Sequence, residues 1–158
     1  MQKNIFLACS WFSNQEKSML EDMRHSLANN KTVDDVYYCL DNQFDGIDVT
    51  EHPEVEKDRL WQEETFLTDV DGIKNADVLC VMMVPGHEDS GAAVEMGIAY
   101  ALGKPIVLVL PIKMWQTDNK DKINLMVAKS PTDVIRITDL MTYDFGHIRR
   151  GLYRFSVY

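Results

Sequence analysis

The sequence predicts one α/β domain with an open, mostly parallel sheet and helices on both faces. Three observations lead there. Short apolar runs alternate with helix-patterned segments from one end of the chain towards the other. Two of those runs, Val78 to Val84 and Ile106 to Leu110, are apolar throughout rather than alternating, as strands covered on both faces are. Finally, 158 residues, 46% apolar and 26% charged, suit a single core and leave no room for a second catalytic domain. No repeat, low-complexity tract or linker divides the sequence, so residues 1–158 are read as one domain.

Taken in order, Ile5 to Phe12 is a short, mainly apolar strand stopped by Ser13-Asn14. Ser13 and Glu16 then have the spacing of a capping box. The helix it opens, residues 14–29, places Met19, Leu20, Met23 and Leu27 on one face. Val33 to Leu40 is a second strand, followed by a polar loop from Asp41 to Gly46 of the kind that often carries function. Pro53 starts a second long helix in which Leu60, Trp61, Leu67 and Val70 are the apolar positions, ending near Gly72-Ile73 and Asn75. Ala76 to Val84 is a buried strand, Ala92 to Leu102 a helix of small residues stopped by Gly103, and Pro105 leads into the strand Ile106 to Leu110. Because parallel crossovers are right-handed, the economical assembly is flavodoxin-like or Rossmann-like, with ligands expected at the loops after Phe12, Leu40 and Val84.

Composition removes several function classes. Sixteen Lys and Arg against 25 Asp and Glu give a formal charge of −9, which disfavours nucleic acid as a partner. No run reaches the ~18 apolar residues of a membrane span, and Met1 to Ile5 lacks a signal peptide's apolar core, so a cytoplasmic location without membrane contact is expected. Cys9, Cys39 and Cys80 are scattered and read as free thiols. His25, His52, His87 and His147 lack ligand spacing, so no metal is expected. The turn Ser10 to Asn14 has no glycine, and neither a dinucleotide fingerprint nor a P-loop occurs, so no cofactor is expected.

Glu95 is the informative residue. It is the only charged side chain between Asp89 and Lys104, one turn into a helix that is otherwise apolar or small. Burying an ionised carboxylate costs several kcal/mol, as an order of magnitude, unless it is paired or hydrogen-bonded. The helix amino terminus helps keep Glu95 ionised, and Gly97 suggests close packing against a neighbour. A pre-organised anion facing a pocket suits a nucleophile; a glutamate capping a neighbouring backbone is the alternative. Asp89, at the end of a central strand, reaches the cleft or simply starts a helix. Asp69, in an acidic helix end, reads from spacing alone as a solvated acid. Two or three carboxylates around a neutral substrate permit nucleophilic attack with acid assistance to a leaving group, the logic of retaining glycosyl transfer.

Six fragments occur in order along the chain: Trp11-Phe12; Leu40-Asp41-Asn42-Gln43 with Gly46-Ile47; Glu51-His52-Pro53-Glu54; Asp69-Val70-Asp71-Gly72-Ile73; Asp89-Ser90-Gly91 through Glu95-Met96-Gly97; and Ile123-Asn124-Leu125-Met126. Together they resemble the nucleoside 2-deoxyribosyltransferase family over nearly the whole sequence. The resemblance implies exchange of nucleobases on 2′-deoxynucleosides, with Glu95 as nucleophile in a covalent deoxyribosyl-enzyme and overall retention. It implies Asp69 as acid/base beside the nucleobase, Asp89 on the sugar hydroxyls, and Gln43 on the base edge with Trp11 and Phe12 in the substrate pocket. It also implies a homo-oligomer, hexameric or dimer-based, in which Asn124 and Met126 complete a neighbouring subunit's pocket and the terminal carboxylate at Tyr158 lies near the active site. Two positions depart from the family pattern: Phe6 where many members carry a tyrosine that touches the nucleophile, and Ala93 where a glycine is common.

Two other functions are weighed against this one. An N-glycoside hydrolase of deoxynucleosides or their 5′-monophosphates needs no acceptor base, but the related branch carries a Gly-rich first loop that Ala8 to Phe12 does not match. A non-catalytic nucleoside- or flavin-binding flavodoxin-like module would need none of the carboxylates.

Overall fold

The computed structural model describes residues 1–116, 120–151 and 156–158. Five strands form one parallel sheet: β1 (Lys3–Ala8), β2 (Val33–Tyr38), β3 (Val78–Met82), β4 (Ile106–Leu110) and β5 (Asp133–Arg136), in the order β2-β1-β3-β4-β5. Every adjacent pair is parallel, so the connections are crossovers. They carry α1 (Asn14–Ala28), α2 (Arg59–Asn75), α3 (Ser90–Ala101) and the short α4 (Leu125–Lys129). This is the α/β architecture expected, with β5 added; Val134 and Ile135 are its only fully buried residues, too short an apolar run to announce a strand.

Strand alternation divides the core in two. Ile5 and Leu7 of β1 pack with Met19, Met23 and Leu27 of α1, while Phe6 and Ala8 turn to the other side, where Ile73 of α2 and Ala92, Met96 and Ala99 of α3 close the layer. β3 and β4 feed both halves, which is why their sequences are apolar at every position. Side chains buried this completely each contribute roughly 1.5–3 kcal/mol relative to exposure.

Three expectations are corrected. β1 leaves the sheet at Ala8, not Phe12, because Ser10 and Ser13 are drawn towards Glu16; Trp11 and Phe12 therefore sit in the loop before α1. Pro53 opens a separate 3₁₀ turn, Pro53–Lys57, and α2 begins afterwards, where extended Asp58 breaks the helix and its carboxylate accepts from the Leu60 and Trp61 amides. Leu60 and Leu67 are exposed rather than core, since α2 turns Thr65, Asp69 and Ile73 inward and leaves Leu60, Phe66 and Leu67 on its outer face.

Candidate active site

The carboxyl ends of β1, β2 and β3 open onto the predicted loops, and the acids gather there. Asp69 lies in α2, half-buried, and its Oδ1 accepts a hydrogen bond of 3.0 Å from the Tyr37 hydroxyl of β2. Burial pushes its carboxyl up, and that hydrogen bond only partly offsets the rise. Asp69 is thus not the solvated acid its local sequence suggests. Glu95 faces it from α3. Burial, then the charges of Asp69 and Asp89, push the Glu95 carboxyl up to about 8. Among the described residues nothing donates a hydrogen bond to Glu95 and no cation is paired with it. The expectation that the helix terminus keeps Glu95 an anion meets an opposing trend here, because burial and the charges of Asp69 and Asp89 favour the protonated form. The Cys39 thiol, pushed up by burial and then by Glu95 and Asp69, lies in the same electrostatic neighbourhood.

Asp89 starts α3 and also bears on Glu95. As N-cap of α3 it accepts from the Ala92 amide at 3.0 Å, and its charge acts on Glu95. On the far side of α3 from Glu95, Asp89 also lines a cavity of about 550 Å³ together with Ala93, Gly97, Tyr100, Asn124, Met126 and Tyr158. Asn124 caps α4 by accepting from the Met126 amide, Met126 is 77% exposed, and Tyr158 is held beside Ile123 and Leu125 by backbone pairing. The chain therefore brings its predicted residues together as two groups: Asp69 with Glu95 in one cleft, Asn124, Met126 and Tyr158 around another, with Asp89 between them. Gly97 is corrected too. A Cβ there would meet nothing within 4 Å, so it opens the cavity rather than packing tightly.

Gln43 is buried, with its Oε1 accepting from the Val49 amide at 2.7 Å, which orders the loop and leaves the side-chain NH₂ as the group able to meet a ligand. The Trp11 and Phe12 rings lie 5.1 Å apart and tilted by 33°, Trp11 meets Tyr38 edge-on, and Phe12 is 73% exposed. Sequence reading missed Glu88. It accepts from the Asn124 amide at 3.0 Å and the Tyr158 hydroxyl at 2.9 Å, tying both segments to the Asp89 loop. Its position immediately before Asp89 was the available signal. No group of three metal-ligating side chains occurs among the described residues.

The geometry has counterparts. A model of the family described as nucleoside 2-deoxyribosyltransferase matches residues 5–126. A nucleoside deoxyribosyltransferase of Lactobacillus leichmannii is 33% identical over 159 residues, covering 99% of both chains. One from Lactobacillus johnsonii is 35% identical over 150 residues, covering 94% of this chain and 98% of its own. In structure, the 2-deoxyribosyltransferase of the psychrotolerant bacterium Bacillus psychrosaccharolyticus superposes with a TM-score of 0.76 at 24% identity, over 96% of this chain and 99% of that one.

Proposed function

This chain belongs to the nucleoside 2-deoxyribosyltransferase family, and from that premise we propose that it exchanges nucleobases by double displacement through Glu95. Glu95 attacks C1′ of the deoxynucleoside, forming a C–O bond as the C1′–N bond breaks, and the departing base takes a proton from Asp69. The acceptor base then attacks C1′ from the vacated face and returns its N–H proton to Asp69, and Glu95 is released. Two inversions give retention. The observation that carries this reading is the meeting of Asp69 and Glu95 with both carboxyls pushed up and, among the described residues, no cation paired with either. Such a pair holds one proton where two lone carboxyls would hold none, and the reaction needs one carboxyl protonated and the other ionised. Asp89 is the group for the sugar hydroxyls, and Gln43, Trp11 and Phe12 meet the base.

The reading extends to assembly. Val94, Tyr100 and Leu125 of α3 and α4, and Leu60, Phe66 and Leu67 of α2, are exposed apolar side chains of helices on one side of the sheet, and Tyr100 lines the cavity at Asn124, Met126 and Tyr158. A second copy covering this side would let those three residues complete its pocket. Mixing inactive Glu95→Ala and Asn124→Ala proteins under confirmed subunit exchange then restores part of the activity; no recovery means that each site is built from one chain.

Incubation with deoxythymidine and adenine, followed by chromatography, tests the reaction. Deoxyadenosine supports transfer, free deoxyribose alone makes the protein a hydrolase, and no turnover makes it a binding module. Without acceptor, intact-protein mass spectrometry is expected to show one deoxyribosyl group added, and none on Glu95→Gln.

A further inference from the structure

Alternation along β2 sends Val36 and Tyr38 towards α1 and Tyr37 to the opposite layer, beneath α2 and α3. Two neighbours fix its ring there. Phe6 of β1 stacks on it with centroids 5.0 Å apart and planes 15° from parallel. On the α2 side the ring fills the space left by Gly72: a Cβ at that position would lie 2.8 Å from Tyr37 Cζ. Gly72 follows Asp69 by three residues in α2, so the glycine that admits the ring and the acid that accepts from its hydroxyl share one helix face.

We propose that Tyr37 is the positioning residue of Asp69, held between Phe6 and Gly72 so that its hydroxyl fixes one carboxylate oxygen and leaves the other for the nucleobase. This rests on the acid/base reading of Asp69. The phenol is itself pushed up, by burial first and then by the Asp69 charge, so it stays a donor throughout the working range and favours ionised Asp69. Without it, Asp69 swings freely and keeps its proton to higher pH. The other titratable groups bearing on this neighbourhood are Cys39 at the end of β2 and Glu95 of α3, with Asp89 acting on Glu95; Asp71 on α2 is engaged by Lys74.

Tyr37→Phe removes the hydroxyl and keeps the ring, its stack and the fold. The test pairs a carbon-13 titration of the Asp69 carboxyl, assigned by its loss in Asp69→Asn, with kcat and KM across pH. In Tyr37→Phe the Asp69 titration is expected to move up by about one unit and the kcat profile to move up with it. At the optimum kcat falls about tenfold with KM within about threefold of wild type. Gly72→Ala, which displaces the ring, moves the titration in the same direction while thermal melting confirms its fold. An Asp69 titration unchanged in folded Tyr37→Phe overturns the proposal, whatever the wild type does with nucleosides. A titration that moves in a protein unable to exchange bases supports the hold on Asp69 and instead overturns the transferase reading.

Discussion

Glu16 and Glu95 are both glutamates near the start of a helix, one on each face of the sheet, and the protein treats them in opposite ways. Glu16 is the N3 residue of α1. Its carboxylate accepts from the Ser10 hydroxyl at 2.6 Å and the Ser13 amide at 2.7 Å, and Ser13 answers with the reciprocal bond of the capping box. Burial raises its carboxyl, but those bonds outweigh it and hold Glu16 below the usual range. Glu95 has no donor among the described residues and two acids for neighbours, and is pushed up to about 8. Enclosure is common to both; what separates a structural carboxylate from a reactive one is whether the chain supplies its hydrogen bonds.

The widest separation of the two comes from substitution. Glu95→Gln is expected to lose transfer by several orders of magnitude while keeping its fold, whereas Glu16→Gln keeps its activity per folded molecule; a Glu95→Gln enzyme with a tenth of wild-type kcat breaks the distinction. Next in size is the effect of a phosphate brought among Asp69, Asp89 and Glu95, none of which is paired with a cation among the described residues. At roughly 6 Å and an effective dielectric near 20, each like-charge contact opposes binding by about 3 kcal/mol per unit charge before screening. Deoxyadenosine monophosphate should therefore show a kcat/KM at least about a hundredfold below that of deoxyadenosine, with cytosine as acceptor; equal turnover points instead to a nucleotide hydrolase. Asp69→Asn has a smaller effect that depends on the donor, greatest where the leaving base is poorest, and a uniform loss across donors removes its acid role.

Stability against pH separates the two glutamates by sign. Folded Glu95 keeps a proton that unfolded glutamate sheds near 4.5, so its ionisation destabilises the fold progressively as pH rises from there through about 8. Glu95→Gln should consequently melt a few degrees above wild type beyond that window and alike at the acid end. Glu16, held low, stabilises above the ordinary carboxylate range and loses that contribution as pH falls through its folded value. Glu16→Ala, the smallest effect here, should cost about 1–2 kcal/mol by denaturant titration at neutral pH and less in acid.

Much of this was legible in the chain. The capping box of α1, the buried runs of β3 and β4 and the isolation of Glu95 are all local patterns, and each appears where periodicity and charge spacing put it. What escaped depends on contacts between distant segments. Asp69 looks solvated beside Val70-Asp71 because its partner, Tyr37, lies 32 residues away on another strand. Glu88 meets Tyr158 across 70 residues. Leu60 and Leu67 were misplaced because helical spacing defines a face without saying which layer that face meets, and Gly97 because a helix glycine can equally open a space or fill a tight one.

The placement of β1 has a consequence for synthesis. It pairs with β2 on one side and with β3 on the other, Ile5 lying beside Val78, and no hairpin joins any two strands. A ribosome adding roughly 5–20 residues each second needs several seconds between those two partners. Asp69 emerges near the end of that interval, ahead of the strands β3 and β4 against which α3 packs. The carboxyl that needs an unusual proton affinity acquires it last, when Glu95 arrives opposite Asp69, so an unfinished chain contains the acids without the site.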